Sequence, residues 1–297
     1  MNETSNYRKD IHPLKEHSSF HKMIKKEGIT LRTISVFQKI IYTHYMDHAR
    51  HFPWRETSDP YKILVSEFML QQTQTHRVIK KYEHFISMFP DFPSLAAAPL
   101  KNVLEAWHGL GYNRRALNLK NTAEIVVTQY DGVLPSHPDV LITFPGIGRA
   151  TACAIAAFAF GTPVVFVETN IRTVFIYFFF TKKGTVKDKE ILSLVEKTLD
   201  RTNPRHWYYA LMDYGVMLKK RFKPLTKKSA HYRKQPPFKG SNRKIRGKIL
   251  SVLIKSPVTE SHLIESIDAP VEKIKRNLLK LEEEQFIKRK GNFIFIG

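Results

Sequence analysis

The chain has 297 residues, 42% hydrophobic and 12% aromatic, so it can bury a folded core. The 48 Lys and Arg residues exceed the 27 Asp and Glu residues and give a formal net charge of +21. This surplus favours a polyanionic partner, nucleic acid before an anionic membrane, although it is also compatible with a merely soluble surface. No apolar run approaches the roughly 20 residues of a membrane span, and the first residues lack a signal-peptide core. We expect a cytoplasmic, intracellular protein that binds nucleic acid.

The single cysteine, Cys153, lies in the apolar run RATACAIAAFAF. One cysteine excludes an intrachain disulfide framework and any metal or cluster site built only from cysteines of this chain. A small residue inside an apolar helix is typical of a core position. The sequence therefore predicts no cofactor and a structural role for Cys153.

The spacing of apolar residues predicts an all-α domain over 31–218, with Pro or Gly at most of its joints. Residues 1–30 are polar and predict a loose arm or one short helix. Only 164–167 has an extended pattern. About ten helices are expected from this spacing; in chain order they are 35–49, 60–70, 75–89, 99–110, 113–130, 137–144, 149–160, 170–180, 188–200 and 206–218.

A basic segment follows this domain. The range 219–248 holds 13 Lys and Arg residues and no acid, and we assign 219–241 to a linker that is also suited to phosphate. Over 242–297 the pattern returns, with three helices and then two short strands around Gly291. This order is that of a winged helix, whose third helix, here from about Val271, commonly enters the major groove. Weak DNA binding and plain packing both remain open for this unit.

A glycine-containing turn, Pro145-Gly146-Ile147-Gly148, separates two helical runs. Glycine permits close approach of a phosphate, and the N–H groups at a helix N-terminus favour an anion. Arg149 adds a positive charge at the same place. The pattern indicates a helix–hairpin–helix element that binds the DNA backbone, or else an ordinary turn between helices.

Two carboxylates have contrasting surroundings. Glu168 follows the apolar run VVFV and precedes a helix, where the helix dipole stabilises a negative charge. Glu67 lies in a helix beside Ile63, Leu64 and Leu70, and apolar surroundings raise the pKa of a carboxyl group. One acid kept protonated and one kept anionic suit acid-assisted cleavage of a glycosidic bond. The alternatives are a capping acid at Glu168 and a surface glutamate at Glu67.

Two further polar segments interrupt the apolar pattern. The first begins at Gln71 and Gln72, whose amides suit the hydrogen bonding of an orphaned base. The second, GLGYNRR, offers Tyr112 for stacking and then Arg114 and Arg115 for phosphate. A loop that ends a helix and buries its tyrosine is the alternative.

Together these motifs resemble the helix–hairpin–helix DNA glycosylase superfamily and, within it, the MutY-type adenine glycosylases. The resemblance covers about 34–218 and is carried by PWR at 53–55, DPYKILVSEFMLQQTQ at 59–74, GLGYNRRALNL at 109–119, PGIGRATA at 145–152 and ETNIRTV at 168–174. It implies that Glu67 protonates the target adenine and that Asn170 helps arrange the catalytic acid and water. It also implies that Gln71, Gln72 and Tyr112 enter the DNA beside a flipped base.

The resemblance further implies that the hairpin binds the DNA backbone and can hold a monovalent cation through main-chain carbonyls of 144–148. The chain departs from the family's pattern at several places. Glu168 replaces the catalytic aspartate, and Ala150 stands where bifunctional members carry lysine, so strand-cleaving lyase activity is not expected. The cysteines that ligate an iron–sulfur cluster in most relatives are absent. A winged-helix-like unit stands where the domain that reads 8-oxoguanine is usual.

The sequence thus predicts a monomeric, monofunctional DNA glycosylase of base excision repair. Its expected partner is double-stranded DNA with a mispaired or damaged base, since such a base is the cheapest to extrude. Adenine opposite guanine or 8-oxoguanine is the first expectation. Thymine or uracil opposite guanine is the alternative substrate, and a non-catalytic DNA-binding relative is the alternative class.

Overall fold

The computed structural model describes residues 17–181, 183–222, 225–230 and 241–297, which form two units. The first unit consists of 17–51 with 156–230, and the second of 52–155 with 241–297. The helical region expected as one domain over 31–218 is therefore divided between both. The winged-helix-like segment groups with 52–155. Residues 1–16 and 231–240 of the expected arm and linker lie outside the described residues.

The first unit is helical. Its helices are α1 (17–27), α2 (Leu31–His48), the end of α9 (Arg149–Phe160), α10 (Thr169–Phe179), α11 (Asp188–Thr198) and α12 (Pro204–Arg221), followed by a 3-10 turn at Leu225–Lys228. Helix α10 packs on α12, and α12 packs on α2. The run 164–167, for which the sequence predicts an extended segment, has no regular secondary structure.

An aromatic cluster forms the core of this unit. The Phe37 ring lies 5.2 Å from that of Phe178 and 5.8 Å from that of Trp207. Phe20, on α1, adds an edge contact to Phe178 at 5.4 Å and is 1% exposed. Because aromatic side chains bury large apolar areas, this contact fixes α1 on the unit. The part of the N-terminal segment over 17–27 is therefore packed rather than loose.

The second unit begins with the 3-10 turn Pro53–Arg55. Its helices are α3 (Pro60–Leu70), α4 (Thr75–Met88), α5 (Phe92–Ala97), α6 (Leu100–Trp107), α7 (Arg114–Gln129), α8 (Pro138–Leu141) and the start of α9. Asp59 caps α3 by accepting from the main-chain N–H groups of Tyr61 and Lys62, and Pro60 occupies the first helical position. Helices α8 and α9 flank the hairpin at 144–148.

The C-terminal part of the second unit has the predicted winged-helix order. It comprises α13 (Asn242–Lys255), β1 (Val258–Thr259), α14 (Glu260–Ser266), α15 (Val271–Glu283), β2 (Ile287–Lys290) and β3 (Phe293–Ile296). The strands form an antiparallel sheet in the order β1-β3-β2, with Arg289 opposite Ile294. The two terminal strands were predicted, whereas β1 was not. Helix α13 packs on α15.

The mostly helical architecture confirms the predicted fold class. Among the described residues, none of the helices combines the length and apolar character needed to cross a bilayer.

Candidate active site

Glu168 is the N-cap of α10 and has an extended backbone with φ −120° and ψ 179°. Its Oε1 accepts hydrogen bonds from the main-chain N–H groups of Asn170 at 2.7 Å and Ile171 at 2.8 Å. Its Oε2 accepts from Nδ2 of Asn170 at 3.1 Å. Three donors thus fix the half-buried carboxylate at the positive end of the helix. The structure places the predicted anion and the predicted Asn170 in direct contact.

Asn170 is also the point where α10 meets α12. A Cβ built on Gly215 would lie 2.4 Å from the main-chain oxygen of Asn170, so only glycine fits at this crossing. The Oδ1 atom of Asn170 is buried and has no hydrogen-bond partner among the described residues. A buried acceptor of this kind is usually satisfied by water or by a bound molecule.

Two basic residues of the first unit, Arg50 and Lys219, were not singled out from the sequence. Arg50 donates from its main-chain N and its Nε to the buried carboxylate of Asp213, at 2.9 and 2.7 Å. Burial lowers the pKa of Lys219, the nearby Glu168 raises it, and Arg50 lowers it further. Lys219 was assigned to the linker, but α12 continues through it to Arg221. The sequence could have indicated Lys219, because it lies four residues after Gly215 and therefore on the same face of the helix.

Glu67 lies on α3 in the second unit and is half-buried. Its predicted neighbours Ile63 and Leu64 are buried at 1% and 0% exposure, while Leu70 is partly exposed. The apolar side of the helix therefore exists as expected. The role of Glu67 as a general acid stays a prediction.

Arg115 connects the two polar segments of the second unit. Its Nη1 donates to the main-chain oxygens of Phe68 and Met69 at 2.8 and 2.9 Å, and also to that of Gln71. Its Nη2 donates to Thr73 Oγ1 at 3.0 Å, to the carbonyl of Gly111 at 2.9 Å and to that of Leu110.

Burial lowers the pKa of Arg115 to about 10. The expectation that Arg115 offers its charge to phosphate is wrong, because the side chain is 7% exposed and spends its donors on main-chain oxygens. It ties the turn after α3 to the loop before α7 instead.

The turn and the loop that Arg115 joins each hold a strained residue. Gln72 has φ +55° and Tyr112 has φ +49°, a left-handed conformation that costs a non-glycine residue about 1–3 kcal/mol. Strain of this kind is found most often at ligand-binding and catalytic sites. The guanidinium of Arg115 lies 5.6 Å from the centre of the Tyr112 ring. Both residues are ones that the resemblance places in the DNA, and this role stays a prediction.

The hairpin is bound to the same turn. Gln71 Nε2 donates to the carbonyl of Gly146 at 3.2 Å and lies 3.4 Å from Oγ1 of Thr151. Gly146 has φ +77°, and a Cβ there would lie 2.5 Å from Nδ2 of Asn118, so glycine is required. Gly148 accepts the first main-chain hydrogen bond of α9, from Ala152 at 2.9 Å. The structure thus joins Gln71 to the predicted backbone-binding element.

The other two arginines predicted to meet DNA are exposed and paired with acids. Arg149 pairs with Asp139 on α8, and Arg114 pairs with Glu284 of the C-terminal segment at 2.9 Å. Surface pairs of this kind contribute roughly 0–1 kcal/mol, so a phosphate can compete for either arginine. Their role in DNA binding stays a prediction.

The carbonyls predicted to hold a cation are partly engaged. The main-chain oxygens of Phe144, Gly146 and Gly148 accept from Ile147, Gln71 and Ala152 respectively. A carbonyl oxygen has two lone pairs, so each of these oxygens can accept its hydrogen bond and still coordinate a monovalent cation. Among the described residues there is no group of three or more His, Cys, Asp and Glu side chains that suits a metal ion.

Comparison with known proteins identifies the family of the chain. Residues 65–200 match the HhH-GPD superfamily of base excision DNA repair proteins. The adenine DNA glycosylase of Mycolicibacterium smegmatis is 37% identical over an alignment of 240 residues that covers 74% of this chain and 82% of that protein. The chain therefore belongs to the HhH-GPD superfamily of base excision DNA repair proteins.

Two further matches are a second adenine DNA glycosylase and a solved structure. The adenine DNA glycosylase of Buchnera aphidicola subsp. Baizongia pistaciae is 34% identical over 63% of this chain, which spans 54% of that protein. A solved structure of a thermostable thymine-DNA glycosylase aligns with a TM-score of 0.55 and 28% identity, over 62% of this chain and 86% of its own. The predicted family is confirmed.

Proposed function

We propose that the chain is a monofunctional DNA glycosylase that releases adenine mispaired with guanine or 8-oxoguanine. The observation that carries the proposal is the Glu168 carboxylate, held by three N–H donors beside Asn170 in a member of this repair superfamily. The similarity of the chain to two adenine DNA glycosylases supports adenine as the base. The net charge of +21 supports a DNA partner.

In the proposed reaction, Glu67 protonates a ring nitrogen of the extruded adenine, which weakens the bond from the base to C1′ of the sugar. That bond breaks, its electrons leave with the base, and C1′ becomes oxocarbenium-like. The negative charge of Glu168 stabilises this positive charge. Water adds to C1′ and loses a proton, so the products are free adenine and an abasic site.

The carboxylate of Glu168 is more than a helix cap. The cap uses Oε1 for both main-chain N–H groups, whereas Oε2 receives one hydrogen bond, from Asn170. Each carboxylate oxygen has two lone pairs, so Oε2 keeps accepting capacity for water. The longer side chain, compared with the aspartate that the family resemblance leads one to expect, is accommodated by this cap geometry.

The proposal includes hydrolysis without strand cleavage, since Ala150 supplies no amine to form a Schiff base. It also includes a monomer without an iron–sulfur cluster that acts on DNA inside the cell. The one cysteine, Cys153, is buried, and burial raises the pKa of its thiol. Iron analysis of the purified protein and its mass in solution test these two parts.

The test is single-turnover base release from labelled duplexes that each hold one mispair. We expect cleavage at A:G and A:8-oxoguanine, seen only after alkali opens the abasic site, and none at A:T. Glu168→Gln is the matched variant, because its amide oxygen can keep the cap and Asn170 can turn its unpaired Oδ1 toward the new NH2 group. It is expected to fold normally and to lose activity, while Glu168→Asp retains part of it.

A second substrate has one specific observation in its favour. The solved structure at 28% identity is that of a thymine-DNA glycosylase. The same panel includes G:T and G:U duplexes for this reason. Release at those pairs with none at A:G or A:8-oxoguanine replaces the first substrate with the second.

A further inference from the structure

A cleft of about 1230 Å³ lies within the second unit, between the loop before α7 and helix α13 of the C-terminal segment. Its volume exceeds the roughly 300–1,000 Å³ of ordinary small-molecule sites. One wall contains Tyr112 and Arg114, and the other contains Arg243, Arg246 and Gly247. The cleft therefore lies between two segments. The sequence predicts that the first, which contains Tyr112, enters DNA, whereas the second, α13, has no assigned role.

The cleft is strongly basic. Besides the buried Arg115, its lining includes one carboxylate, Glu284, and six basic side chains, which are Arg77, Arg114, Arg243, Lys244, Arg246 and Lys248. A concave surface lined by charges of one sign concentrates ions of the other sign. Its occupant is therefore expected to be an extended polyanion.

Glu284 already occupies the place of an anion in this cleft. Its Oε2 lies 2.9 Å from Nη2 of Arg114, and its Oε1 accepts from Nη1 of Arg246 at 3.1 Å. Two guanidinium groups thus converge on one carboxylate that is 22% exposed. Arginine binds phosphate with the same paired geometry.

Gly247 provides an independent sign of a ligand. It lies inside α13, where glycine costs about 0.5–1 kcal/mol relative to alanine. Among the residues that the structure describes, no atom lies within 4 Å of a Cβ built there, so packing against these residues does not require glycine. Its missing side chain leaves room for a close approach to the helix from the cleft.

Arg243 extends the cleft to the strained tyrosine. Its guanidinium donates to the hydroxyl of Tyr112 and lies 5.1 Å from the centre of the ring. The C-terminal segment therefore helps to hold Tyr112 in its left-handed conformation.

We propose that this cleft binds a phosphodiester segment of the DNA next to the recognised base, and that a DNA phosphate replaces Glu284 between Arg114 and Arg246. The inference rests on the proposed function for the identity of the polyanion. It assigns DNA contact to α13, rather than to α15, the helix that commonly enters the major groove in winged-helix folds.

The test is the equilibrium affinity of the full chain for a mispaired duplex, measured by fluorescence anisotropy at several salt concentrations. Glu284→Gln removes the internal competitor and is expected to tighten binding about threefold relative to Glu283→Gln, an exposed neighbour with the same change of charge. Arg246→Gln is expected to weaken binding about fivefold and to reduce the salt slope by about 1. Gly247→Leu, which fills the open space, is expected to weaken it as well.

Three results overturn the proposal. The first is Glu284→Gln binding no tighter than Glu283→Gln while its thermal midpoint stays near that of wild type. The second is Gly247→Leu binding the duplex as tightly as wild type does. This result is decisive even if the Glu284 variant does not fold. The third is a larger loss for Arg276→Gln, on the exposed face of α15, than for Arg246→Gln. Because the affinity measurement does not depend on base release, these results can be interpreted even if the chain shows no glycosylase activity.

Discussion

Asn170 and Gly215 meet where α10 crosses α12, and a single added methyl group at Gly215 would lie 2.4 Å from the Asn170 main-chain oxygen. The residue that donates to Glu168 is therefore located by a close contact between two helices. The position of the Glu168 carboxylate depends on this contact, since Glu168 caps the same helix turn.

Gly215→Ala is expected to displace the first turn of α10 and to destabilise the protein by about 1–3 kcal/mol, the usual cost of overpacking. A shift of the carboxylate is expected to slow base release by about 100-fold. Thermal unfolding and single-turnover kinetics measure the two effects. Gly184→Ala is the control, because a Cβ there meets no atom of the described part of the chain within 4 Å. Equal stability and rate for both variants contradict the assigned contact.

Arg115→Gln is expected to destabilise the second unit by about 3 kcal/mol, because main-chain oxygens near Gln71 and Gly111 lose their donors while buried. Arg114→Gln, next in the chain and exposed, is expected to cost about 0–1 kcal/mol. Denaturant unfolding of the two variants gives the comparison. A cost at Arg115 no larger than that at Arg114 contradicts its role in holding the turn and the loop together.

His44 predicts a dependence of stability on pH. Burial first, and then the charge of His48, lower its pKa from 6.5 to about 4; Asp213 opposes this shift, and smaller effects come from Arg221 and Asp47. The unfolded chain takes up a proton before the folded chain does. The free energy of unfolding is therefore expected to fall by about 1–2 kcal/mol as the pH drops from about 6.5 to about 4, allowing for solvent screening.

The measurement for His44 is denaturant unfolding at several pH values. His44→Gln is expected to remove this part of the pH dependence of the free energy of unfolding. His84→Gln, which replaces an exposed histidine, is expected to leave it in place. An unchanged slope in the His44 variant contradicts its assignment.

Much of the fold follows from the sequence because long amphipathic runs fix helices and the order of segments fixes the winged unit. Helix α5 was missed because Phe92–Ala97 is too short to show a helical period, although Asp91 and Ser94 form a capping box at its start. Strand β1 was missed because it has two residues, Val258 and Thr259, and exists through pairing with β3. The division into two units depends on tertiary contacts that no local pattern contains.

The candidate site was predictable where a motif carries its own geometry. Glu168 and Asn170 lie on one helix turn, so their contact follows from spacing. Arg115 was misassigned because charge alone does not reveal burial, and the neighbouring Arg114 has the same side chain with the opposite exposure. Lys219 was missed because a run of basic residues concealed the continuation of α12.

The most direct test of the account is single-turnover release of adenine from an A:8-oxoguanine duplex by wild type, Glu168→Gln and Glu67→Gln. All three proteins are expected to bind the duplex, since both substitutions keep the size of the side chain. Wild type is expected to leave an alkali-sensitive abasic site, and each variant to lose about 100-fold or more in rate. Release at the wild-type rate by either variant contradicts the proposed roles of Glu67 and Glu168. No release from any mispair by wild type contradicts the proposed glycosylase activity.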